Sequence, residues 1–85
     1  MKRDINAITV LLATQGMINI GAIPDPITHE THKQPEKAQV FLDLLEVLME
    51  KTRGNLSLNE ANFLKSAVKN LRLVLEQDDT SGEGE

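Results

Sequence analysis

Few residues in this chain are suited to chemistry. His29 and His32 stand three apart, with Asp25 and Glu30 beside them, and together they offer the nitrogen and oxygen donors of a zinc or nickel site. The HETH spacing is one residue short of the H-E-x-x-H pattern of a zinc-protease helix. Pro24 and Pro26 place the segment in a loop, where Glu30 is not held as a general base. A solvated loop is the favoured reading; a metal-binding protein or small metal-dependent enzyme built on Asp25, His29 and His32 is the alternative. Asp25, between two prolines, offers a carboxylate on a rigid turn to a partner, but an Asx turn that accepts nearby backbone donors is the simpler expectation.

Lys65, Lys69 and Arg72 fall at i, i+4 and i+7, along one helix face that can meet phosphate. No glycine-rich loop, stacking aromatic or basic excess accompanies them. A weak nucleic-acid adapter is therefore a second alternative, and nucleic acid is disfavoured as a partner. Ser57, Ser66 and Ser81 lack a placed His and Asp, and the absence of cysteine removes thiolate nucleophiles, thiolate metal sites and disulfides together. The chain is read as not an enzyme, with no cofactor and no metal.

The elements that must position these residues are aliphatic. The 85 residues fit one small domain. Leu, Ile and Val dominate its apolar content, against two aromatics, Phe41 and Phe63. Nine Lys and Arg against 13 Asp and Glu give a net charge of −4. Five of the acids lie in the last ten residues, EQDDTSGEGE, so the body is nearly neutral and does not resemble a polyanion binder. Lys2 and Arg3 before residues 5–13 imitate a secretion signal, but Asp4, Asn6, Thr14 and Gln15 interrupt the pattern and no small-x-small cleavage site follows. The same polar residues make the stretch too short and too polar to span a bilayer, so a buried helix of a cytoplasmic protein is expected.

Three helices are expected, at about 5–20, 35–52 and 58–76. Asp4 is the N-cap of the first, Gly21 its left-handed C′ residue, and Pro24 and Pro26 prevent its continuation; Ile23 is placed to fold back on its last turn. Residues 22–34 form a long connection that wraps over an end of the bundle. Pro35 and Glu36 open the second helix. It carries one seam of Ala38, Phe41, Leu45, Leu48 and Thr52 and another of Val40, Leu44 and Val47, with Leu42 and Met49 at the margins of the second. Gly54 is its expected C′ residue and Leu56 the accompanying apolar contact. Ser57 and Glu60 form a capping box for the third helix, whose seam is Ala61, Leu64, Val68, Leu71 and Leu75. The short second link makes helices two and three an antiparallel hairpin. Residues 1–77 form the domain, in which Glu76 is placed to pair with Arg72 four residues earlier, and 78–85 are expected to be a disordered acidic tail.

Two stretches, LLATQGMINIGAIPDPITHE and FLDLLEVLMEKTRGNLSLNEANFLKSAVKNLRLVL, carry Gly21, Pro24, Asp25, Pro26 and Thr28 in one motif and Lys51, Thr52, Gly54, Asn55, Leu56 and Glu60 in another. In these the chain resembles a bacterial family, domain of unknown function 1844, whose members share LGxIPDPxT and KTxGNLxxxE. The resemblance implies a short helical protein without assigned chemistry and brings no catalytic residue with it.

The apolar arcs of the first two helices are wider than a three-helix core can cover, and a single core of this size supplies little net stability. The expected architecture is therefore an all-α, three-helix protein completed by oligomerisation. Val40, Leu44 and Val47 are its candidate interface, and its partners are a second copy, as a homodimer or higher, and an unidentified protein. The expected function is that of a small non-enzymatic helical interaction or structural module.

Overall fold

The computed structural model describes residues 4–31 and 33–83, with side chains described as far as Gln77. Three helices, α1 (Ile5–Ile20), α2 (Pro35–Lys51) and α3 (Leu58–Glu83), pack against one another, and no strand occurs among the described residues.

Local chemistry sets the helix ends. Asp4 has extended backbone and its carboxylate accepts the Asn6 N–H at 3.1 Å, so α1 begins where its orphan amides find an acceptor. At the other end Gly21 adopts φ 84°, a left-handed conformation that costs glycine no side-chain clash. Its N–H reaches the Ile18 carbonyl at 3.1 Å and the Ala22 N–H reaches the Met17 carbonyl at 2.9 Å, the paired bonds of a Schellman motif. Ile23, expected against this turn, is instead exposed.

The connection returns to the helix it left. The Gln34 N–H donates to the Asn19 carbonyl at 2.6 Å, which sets the start of α2 beside the last turn of α1. Pro35 occupies the first turn of α2, where its missing N–H removes a donor that would have no intrahelical acceptor, with Glu36 in the first turn and Lys51 in the last.

The end of α2 corrects one expectation. Thr52 caps the helix, so Arg53 takes the C′ place and Gly54, with φ 83°, lies one place beyond the C′ position expected of it. It occupies the third position of a turn that the Asn55 N–H closes on the Thr52 carbonyl at 2.8 Å. The Thr52 hydroxyl donates to the Leu48 carbonyl at 2.6 Å, satisfying one of the last helical acceptors.

α3 opens with the expected reciprocal box. The Glu60 N–H donates to Ser57 Oγ at 3.1 Å and the Ser57 N–H to Glu60 Oε1 at 3.0 Å. The helix runs to Glu83 instead of ending near residue 76, since extending a nucleated helix costs little per residue. The backbone of the expected disordered tail, 78–85, is thus helical as far as Glu83, and residues 84–85 lie outside the described residues.

The core joins Ile20 of α1, Ala38, Leu42 and Leu45 of α2, and Leu64, Val68, Leu71 and Leu75 of α3. Met17, Phe41, Leu48 and Leu56 pack against it. Two placements differ from expectation. Leu42 belongs to the core instead of the margin of the outer seam, with Met49 packed against the core, because the buried arc of α2 faces two helices at once. Ala61 is exposed, lying ahead of the buried Leu64 at the start of α3. Gly16 makes the close approach of α1 to α3 possible: a Cβ there would stand 2.6 Å from Leu71 Cδ2.

Candidate functional site

The Pro24–Asp25–Pro26 segment is a self-bonded turn. Asp25 Oδ1 accepts the Ile27 N–H at 2.8 Å, the Asx bond expected of it. The Asp25 carbonyl accepts the His29 N–H at 2.8 Å, and the Asp25 N–H donates to the Glu30 carbonyl at 2.8 Å. His29 itself takes φ 63°, a left-handed conformation uncommon outside glycine, and its side chain is exposed. Among the described residues no group of three or more His, Cys, Asp and Glu side chains converges to hold a metal ion. His32, the other histidine of the proposed cluster, lies outside the described residues.

Glu60 joins two helix starts. Beyond its bond within the capping box, its second carboxylate oxygen, Oε2, accepts the Ile5 N–H at 3.1 Å, so one side chain caps α3 and α1 together. The Ser57 backbone N–H, then that of Ile5, holds its carboxyl below the usual glutamate range, because both donors favour the ionised form. Asn6 of α1 adds a long contact to Asn59 of α3, 3.5 Å from amide nitrogen to carbonyl oxygen. The S-x-x-E spacing announces the local half of this clasp. The bond to Ile5 spans 55 residues and no sequence period signals it.

The basic face of α3 divides. Arg72 forms an ion pair with Glu46 of α2, a partner on another helix that spacing along α3 does not signal. Lys65 instead lines a cleft of about 370 Å³ at the α2–α3 junction, together with Met49, Thr52, Arg53, Gly54, Leu56, Ala61 and Asn62. A second, more apolar cleft of about 240 Å³ lies between α1 and α3, with Val10, Ala13, Met17 and Phe63 among its walls.

The largest unspent feature is apolar. Val40, Leu44 and Val47 are 52%, 44% and 50% exposed, on the side of α2 away from the buried Ala38 and Leu45. Ile8 and Leu11 of α1 are similarly exposed. No helix among the described residues is long and apolar enough to cross a membrane.

No curated protein and no solved structure matches this chain. A family model, described as a domain of unknown function (DUF1844), matches residues 2–77, which include all of α1 and α2, both motifs and α3 as far as Gln77. The resemblance carried by the Pro-Asp-Pro turn and the Gly54–Glu60 capping segment is thereby confirmed over nearly all of the ordered helical body, and the chain belongs to the DUF1844 family.

Proposed function

We propose that this domain is a non-enzymatic helical module of the cytoplasm that associates with a second copy of itself through the outer face of α2, with α2 and α3 as an antiparallel hairpin behind that face. The observation that carries the reading is the half-exposed stripe Val40, Leu44 and Val47. Full burial of an aliphatic side chain is worth about 1.5–3 kcal/mol, so finishing the burial of these three half-exposed ones contributes roughly 3 kcal/mol per copy. Two copies supply about 6 kcal/mol, toward the low end of the range of about 4–15 kcal/mol that association costs in lost freedom. A weak dimer is the balance.

Sedimentation equilibrium of the full chain across micromolar concentrations tests it. The wild type is expected to exceed monomer mass, and Val47→Glu to return it to monomer with its helical circular dichroism intact. A monomeric wild type at every concentration overturns the reading.

A further inference from the structure

The cleft at the α2–α3 junction has an asymmetry that packing does not require. The helical body is nearly neutral, yet this cleft is lined by two cations, Arg53 and Lys65, and by no acid. Neither side chain makes an ion pair or hydrogen bond among the described residues. For Arg53 there is a local reason, since a cation just past the end of α2 offsets the helix dipole. Lys65 has none. It sits well inside α3, and its neighbours three and four residues away are Ala61, Asn62, Val68 and Lys69, none of them acidic and one a like charge. Like charges at i, i+4 weaken a helix, so the Lys65–Lys69 pair costs stability that nothing nearby offsets. Arg72, on the same face, finds Glu46; Lys65 faces the cleft with its charge unspent.

Apart from the cations, Thr52 and Asn62, the lining is apolar. Met49 and Leu56 are partly buried against the core and Ala61 lies beside them. At Gly54 a Cβ would meet nothing within 4 Å, so this wall is open. The Asn62 amide adds a neutral donor. Small-molecule sites combine a mostly apolar surface of roughly this volume with a few placed polar groups. Here every charged group among them is positive.

We propose that this cleft binds a small amphiphilic carboxylate, its head between Arg53 and Lys65 and its aliphatic body on Met49, Leu56 and Ala61. A charge-assisted bond from guanidinium or ammonium orients the head, and the apolar body supplies contact that a bare anion lacks. The Thr52 hydroxyl, already donating to Leu48, takes no part as a donor. The site is independent of the outer face of α2 and stands or falls separately from self-association.

The test is titration of the ¹⁵N-labelled full chain with sodium octanoate below its micellar concentration, with 1-octanol and sodium acetate as parallel probes. Saturable amide shifts confined to residues 49–65 are expected with octanoate, with weaker binding of both controls. Arg53→Gln and Lys65→Gln should each weaken octanoate binding roughly two- to fivefold, the range of an exposed charge pair, and the double variant further. Both positions are exposed, so unchanged circular dichroism confirms that the variants fold. The proposal is overturned by the absence of saturable shifts, by shifts centred on Val40, Leu44 and Val47, by equal binding of octanol, or by indifference to both substitutions.

Discussion

On α2, Leu45 is fully buried while its neighbour Leu44 is 44% exposed; Ala38 and Leu42 repeat the first state, Val40 and Val47 the second. Successive residues point about 100° apart on a helix, so side chains of one type meet opposite surroundings within a single step. The inner arc meets α1 and α3 and has no room left. The outer arc is left half open to solvent. Hydrophobicity alone therefore does not assign a side chain to a core; the packing partners of its face do.

The largest effect that sharpens this contrast is truncation on the two arcs. Leu45→Ala is expected to cost about 2–5 kcal/mol, from lost burial and the cavity left among Leu64, Leu71 and their neighbours. Leu44→Ala should cost the monomer about 1 kcal/mol, the half of its burial already made, while weakening association. Urea denaturation at low protein concentration measures both. Equal losses would mean that the outer arc is covered within the single chain.

A smaller effect probes how tightly the inner side fits. At Gly16 an added methyl meets Leu71, which is fully buried and cannot swing into solvent. Overpacking costs about 1–3 kcal/mol. Replacing glycine within a helix returns up to about 1 kcal/mol. Gly16→Ala should thus lose roughly 0–2 kcal/mol, against near neutrality for Leu11→Ala on the exposed side. Thermal unfolding of the two variants compares them, and a clear gain at Gly16→Ala would show that Leu71 has space to move.

The smallest effect lies at the Glu60 clasp, where the inner faces of α1 and α3 meet at their N-termini. Its carboxyl is held below its ordinary value in the folded state, so its contribution is present above the unfolded value near 4.3 and is lost as pH falls through the depressed one. Glu60→Gln keeps one acceptor oxygen for the box and loses the second, which serves Ile5. The melting temperature of the wild type should exceed that of Glu60→Gln at neutral pH, with the gap closing on acidification below about pH 4.3. A gap that persists unchanged to strongly acid pH would assign the effect to shape instead of charge.

Much of this fold was legible because helix ends are written locally. Asp4, Gly21, Pro35 and the Ser57–Glu60 box each act within a few residues, and the structure places all of them as their chemistry requires. The miss at Gly54 has the same origin: glycine signals a left-handed residue near a helix end, but which place of the turn it takes depends on where Thr52 and Asn55 close their hydrogen bond. Asp25 was legible as an Asx turn, its donor being only two residues away.

Composition and local pattern by themselves determined an all-α chain, the boundaries of α1 and α2, the start of α3 and the existence of two apolar arcs on α2. Each follows from interactions that span a turn or two of backbone. Tertiary structure alone decided that Leu42 belongs to the inner arc, that Gly16 receives Leu71, that Arg72 pairs with Glu46 and that Glu60 reaches Ile5. Those contacts join residues far apart in the chain, and they are set by how three helices share one interior, for which no spacing within any one helix carries a signal.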